Sequence, residues 1–123
     1  MDTVSLLSPV PSVWDVVQVD FPFGDRAEVR RRPALVIATV PVHAEFSLLW
    51  LAMITRASGG GWASDVPISD LGAGGLQRPC VVRTGKVASI DSRLVTGVGT
   101  LAPSDCQAVA AALRAVLGSV LSL

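Results

Sequence analysis

Arg30-Arg31-Arg32-Pro33-Ala34-Leu35-Val36-Ile37 decides how this chain is read, because three adjacent guanidinium groups run straight into an apolar segment that opens with proline. A continuous apolar run of this length, rich in β-branched residues, is the pattern of a strand buried on both faces. The arginines then stand at the rim of a rigid sheet. Arginine stays ionised at physiological pH and presents a planar fork of donors that matches phosphate oxygens. A cluster fixed by a strand can therefore serve phosphate recognition or phosphoryl chemistry. Read alone, the triplet is most simply a solvated loop, as charge runs usually are.

The segments around it have the same character. Trp14 to Asp20 alternates polar and apolar positions, as a half-buried strand does, and Phe21 to Arg32, with Pro22, Gly24 and its charges, reads as a loop. Ala34 to Val40 and Leu48 to Ile54 are near-continuous apolar strands. Ser58 to Ser64, with three glycines in a row, is a flexible loop, and Asp65 to Ile68 a short strand. Asp70 to Pro79 is a turn region with three glycines of its own. Val81 to Ser89 is a strand interrupted or bulged at Gly85, and Leu94 to Thr100 a last short one. Strands this short and this regularly punctuated indicate a small barrel or sandwich rather than βαβ units. From Pro103 to Leu121 the period changes: Val109, Leu113, Val116, Leu117, Val120 and Leu121 recur at three and four residues, the mark of an amphipathic helix that packs its apolar face on the barrel. Either Pro103 takes the first helical position, or Ser104 and Gln107 form a capping box.

The chain of 123 residues, half of them hydrophobic, suits one domain, 1–123, able to bury a core without disulfides or a structural metal. Residues 1–12 and the glycine loop are the candidates for disorder. No uninterrupted apolar stretch approaches the roughly 18 residues of a membrane span, and the start lacks the pattern of a signal peptide. A cytoplasmic, soluble protein is expected, with Cys80 and Cys106 as buried inert thiols. Net charge is zero, which argues against bulk electrostatic coating of nucleic acid. Between Arg26 and Arg93, however, nine basic residues face five acids, leaving +4 in the centre of the chain.

Several chemistries are set aside. A single histidine, His43, cannot supply an imidazole acid–base pair and reads as a surface or turn residue. There is no metal-ligand spacing, no Walker loop and no dinucleotide fingerprint, so neither metal nor cofactor is expected. Trp50 is expected in the core, and Trp62, beside the glycines, on the surface.

Four ordered pieces carry a resemblance: Val16-Val17-Gln18-Val19-Asp20-Phe21-Pro22-Phe23, Arg31-Arg32-Pro33-Ala34-Leu35-Val36-Ile37, Leu51-Ala52-Met53-Ile54-Thr55, and Pro79-Cys80-Val81-Val82-Arg83-Thr84-Gly85-Lys86-Val87. With the terminal helix they resemble the MazF/PemK family of toxins from bacterial toxin-antitoxin pairs, from about Trp14 to the end of the chain. The resemblance implies an SH3-like β-barrel, a homodimer, metal-independent cleavage of single-stranded RNA, and neutralisation by a cognate antitoxin. Arg32, immediately before the strand proline, matches the family's catalytic arginine, and Thr55 its threonine. Glu28, four residues before Arg32, is a candidate general base, with Asp20 and Asp25 as competitors. Arg31, Arg56, Arg83 and Lys86 are candidates for phosphate contacts and Phe23 for base stacking, against the plain alternatives of solvated charges and a loop anchor. Two other functions stay open: a toxin of the same fold that binds a protein target, as the gyrase-poisoning CcdB relatives do, and an inactive nucleic-acid-binding regulatory module.

Overall fold

The computed structural model describes residues 10–22, 29–58 and 60–123. Six strands, β1 (Asp15–Pro22), β2 (Val29–His43), β3 (Phe46–Arg56), β4 (Asp65–Pro67), β5 (Cys80–Asp91) and β6 (Val95–Thr100), precede one helix, α1 (Pro103–Leu121). They form an antiparallel sheet in the order β4-β5-β3-β2-β1-β6. The expected class, mainly β with a C-terminal helix, is the class the chain adopts.

The period-2 alternation of strand side chains places neighbouring residues on opposite faces, and both faces here are apolar. Val16, Leu35, Ala52, Ile54 and Val82 join Leu101 and Val109 of α1 in one cluster. Val17, Val19, Ala34, Val36, Leu49, Leu51 and Met53 form the other. Fully buried residues such as Leu35, Leu49, Leu51 and Ile54 each contribute about 1.5–3 kcal/mol of transfer free energy. Bulges bend the sheet around these clusters. The register of β3 against β5 jumps from Ala52↔Val87 to Met53↔Arg83, leaving Thr84, Gly85 and Lys86 as the extra residues. This is the interruption expected at Gly85.

Three sequence expectations are corrected, and one pair of alternatives is resolved. The segment 21–32 is not all loop: β1 and β2 pair through Asp20↔Arg31, Phe21↔Arg30 and Pro22↔Val29. Hairpin pairing outweighs local charge, so the arginine triplet lies within a strand. Trp50 is 45% exposed rather than buried in the core: the alternation along β3 puts it on the face of the buried Ala52 and Ile54, but it lies outside the cluster they form. The capping box does not form: Pro103 is in the first turn, Ala102 is the cap residue without a side-chain bond, and the capping alternative through Pro103 is the one realised. Finally, α1 docks only through its first half. Asp105 and Val109 are buried, with Cys106, Ala112 and Leu113 packed on the first cluster. Val116, Leu117, Val120 and Leu121 are 41–69% exposed. By length and composition α1 would suffice to cross a bilayer, yet the buried Asp105 ties its start to the protein.

Both cysteines are free, Cys80 buried and Cys106 half-buried, and burial pushes both thiols up. His43 is exposed at the end of β2, its Nδ1 accepting from the Glu45 N–H at 3.3 Å.

Candidate active site

At one end of the sheet the termini of β1, β2, β3 and β5 and the turn before β5 enclose a groove of about 810 Å³. Its chemistry is one-sided. Arg30, Arg31, Arg32, Arg56 and Arg78 line it, with Gln18, Thr55, Ser58 and Gln77 as neutral polar groups and Pro33, Ile54, Leu76 and Cys80 as apolar floor. No acid is present among the described lining residues. A neutral chain thus carries a concentrated positive field in a concave site, where low-dielectric walls focus it.

Arg32 and Thr55 both line the groove. The β2–β3 pairing runs through Leu35↔Ala52 and ends at Ala34↔Met53, two residues short of both. By strand alternation they share the face of Ala34 and Met53, so a guanidinium and a hydroxyl flank one cavity. Arg32 is half-buried. Burial, followed by the positive charges of Arg30 and Arg56, lowers its affinity for its proton below the ordinary arginine range. A partly desolvated cation repelled by its neighbours gains most from an arriving anion.

The other expected residues divide. Arg56, opposite Cys80 in the β3–β5 register, is exposed on the groove. Arg31 lines it too, but its guanidinium donates to Thr96 Oγ1 at 2.7 Å and Asp20 Oδ1 at 3.3 Å. Arg83 is not part of the groove lining. Its Nε and Nη2 donate to the Asp65 carboxylate at 3.1 and 2.9 Å, and its guanidinium sits over the Trp62 ring at 4.3 Å. The Arg83 hydrogen bond holds the Asp65 carboxyl below the usual range. Trp62 is on the surface, as expected. Lys86 is exposed in the β5 bulge, also off the groove lining. Glu28, Phe23 and Asp25 lie outside the described residues. Arg30, Arg78, Gln18 and Gln77 are groove residues that no sequence reading singled out as contacts. Arg30 was visible in the triplet, and at alternate spacing it shares a face with Arg32. The other three carried no local signal. Among the described residues no group of three or more His, Cys, Asp or Glu side chains could hold a metal ion.

Fold and groove together define a small β-rich protein with an arginine-lined groove. The family model for the PemK-like, MazF-like toxin of type II toxin-antitoxin systems matches residues 12–117, and the chain belongs to that family. Similar solved structures include the Mycobacterium tuberculosis toxin MazF-mt6, at 23% identity and a TM-score of 0.63, covering 85% of this chain and 96% of that one. The MazE-MazF structures from Deinococcus radiodurans are alike: one form has 21% identity and a TM-score of 0.61, covering 90% of this chain and 98% of that one. A second form has 22% identity and a TM-score of 0.60, covering 94% and 99%. No curated protein matches the sequence.

Proposed function

We propose that this toxin-family chain is an endoribonuclease that cleaves single-stranded RNA without requiring a metal, using the substrate's own 2′-hydroxyl. That hydroxyl attacks the adjacent phosphorus, the bond to the 5′-oxygen breaks, and the products carry a 2′,3′-cyclic phosphate and a 5′-hydroxyl. RNA brings its nucleophile, so the protein need only align it, move protons and stabilise a dianionic phosphorane. Arg32 neutralises that charge through its fork of donors, and the Thr55 hydroxyl donates to a nonbridging oxygen. What supports the reading is that both residues line one groove of arginines and, by strand alternation, share a face of the sheet.

Glu28 is the proposed base. Asp20, its nearest described competitor, is engaged by Arg31. Arg30, Arg31, Arg56 and Arg78 take backbone phosphates, Phe23 stacks on a base, and the exposed Lys86 extends the basic surface. Arg83 acts instead as an anchor for the Trp62 corner. The cognate partner is an acidic antitoxin segment laid across the same basic groove, in line with the MazE-MazF assembly of the D. radiodurans structures. The chain acts in the cytoplasm as a homodimer, whose formation would cover apolar surface at Trp50, Val87 and the far half of α1. A monomeric mass in sedimentation would remove the dimer.

Purified chain incubated with RNA and EDTA tests the activity. Fragments ending in cyclic phosphate are expected. Intact RNA together with stalled gyrase would transfer the protein to the gyrase-poison alternative, and intact RNA bound without change to the regulatory one.

A further inference from the structure

The turn at residues 69–79 closes one side of the groove, and from it Leu76, Gln77 and Arg78 enter the lining. A loop presents side chains at fixed positions only when its backbone is tied to a rigid scaffold. Here the tie is a carboxylate on another element. Asp105 lies in the first turn of α1 and is 4% exposed, at the helix end that favours negative charge. It accepts from the Ser69 N–H, the Ser69 hydroxyl and the Asp70 N–H at 2.7–3.1 Å. Bonds to an ionised acceptor sheltered from water are among the stronger ones a chain makes.

From Ser69 and Asp70 the hold passes along the turn. Asp70 Oδ1 accepts from the Ala73 N–H at 3.1 Å, the Ala73 carbonyl from the Thr100 N–H at 3.0 Å, and the Leu71 carbonyl from the Leu76 N–H at 2.8 Å. The Ile68 N–H donates to the Cys80 carbonyl at 3.1 Å and closes the base. Glycines let the turn lie flush against β6: a Cβ on Gly75, at φ +71°, would strike the Val98 carbonyl oxygen, and one on Gly99 the Gly74 backbone. Asp105 itself is not part of the groove lining, and Arg32 and Thr55 belong to β2 and β3 rather than to this turn.

We infer that Asp105 is a positioning residue for RNA binding: from outside the groove it fixes the 69–79 turn and so holds Arg78, with Gln77, where the substrate backbone passes. The inference rests on the nuclease reading above, in which Arg78 takes a phosphate. Because the turn carries neither member of the reacting pair, loosening it costs affinity and spares the chemical step. The test is steady-state cleavage of a single-stranded transcript in EDTA by the full chain, each variant first shown to be folded by its urea curve. Asp105→Ala should raise KM about tenfold, the cost of ordering two side chains on binding, and leave kcat within about twofold. Asp105→Asn, which keeps one acceptor oxygen, should recover part of that loss. Ser69→Ala removes only the hydroxyl bond, should raise KM about threefold, and carries the test if Asp105→Ala does not fold. In a chain already bearing Gln77→Ala and Arg78→Ala, adding Asp105→Ala should change KM by less than about twofold, since the groups it positions are gone. An unmoved KM in folded variants, a fall in kcat alone, or losses that multiply in the combined variant would overturn this inference and leave the nuclease reading standing. A transcript left intact by the unaltered chain would overturn both.

Discussion

Two groups of arginines in this molecule have opposite surroundings. Across β5 and its end, Arg83 is held by Asp65 over the Trp62 ring, and Arg93 by Asp91 over the Phe46 ring, each guanidinium 4.3 Å from its ring centroid. In the groove, five arginines converge and no acid is present among the described lining residues. The first arrangement completes its charge within the chain and fastens one strand to its neighbours. The second gathers like charge in one concave site, where its field is focused. Arg31 belongs partly to each, lining the groove while its guanidinium rests on Asp20 and Thr96. Counting cations along the sequence cannot separate these roles. What separates them is which cations share a cavity.

That contrast can be broken most directly at Arg32. Arg32→Ala should lower RNA cleavage by about 10²–10³-fold, the usual effect of removing one charge-stabilising donor, while the melting temperature stays close to that of the unaltered chain. A rate within tenfold would place the chemistry elsewhere. Next comes Asp105, whose carboxylate fixes the groove-lining turn from the far side. Asp105→Ala leaves the Ser69 and Asp70 N–H groups without an acceptor and should cost about 2 kcal/mol in urea unfolding at pH 7. Burial pulls the Asp105 pKa upward, but the bonds from Asp70 and Ser69 outweigh it and hold the folded-state value low. The sign follows: a depressed carboxylate contributes fully above its unfolded value, near pH 4, and that contribution drains as the pH falls through the folded value. The unaltered chain should therefore lose stability below about pH 4 more steeply than Asp105→Ala. Equal acid limbs would deny the carboxylate this role.

Thr55→Val, nearly isosteric, should slow cleavage about tenfold, one hydrogen bond's worth of transition-state stabilisation, with unfolding little changed. An unchanged rate would discard the hydroxyl. The smallest effect is expected at Arg83. Arg83→Met should lower the melting temperature by removing the part-buried pair with Asp65 and freeing the Trp62 corner, and leave the cleavage rate within about twofold, since Arg83 is not in the groove lining. A large loss of cleavage would put Arg83 back among the RNA contacts and erase the distinction drawn between the two groups.

Much of the fold was legible because it follows from local pattern. The runs at 34–40 and 48–54 are apolar at every position but Thr39, the pattern of a sheet covered on both faces. The helix from Pro103 to Leu121 was bounded correctly by its proline and its change of period. Trp50 was misread because aromatic bulk suggests burial, while the face a strand residue occupies depends on register and on how far the covering layer extends. The charged hairpin was misread for a related reason: strand pairing between residues eleven apart, as between Asp20 and Arg31, is invisible to a composition window.

The site divides in the same way. Sequence alone determined that a guanidinium would stand at the lip of a sheet, since an arginine before a strand proline has few other places to go, and family resemblance matched Thr55 to it. Only the tertiary structure decided which cations share a cavity. Gln18, Ser58 and the adjacent pair Gln77 and Arg78 come from three separate segments, and their meeting depends on nonlocal facts such as the glycine contact between the 69–79 turn and β6 and the reach of Asp105 across 36 residues to Ser69. Pattern along a chain encodes which face of an element is apolar. Convergence in space is set by packing between elements, and no local stretch contains it.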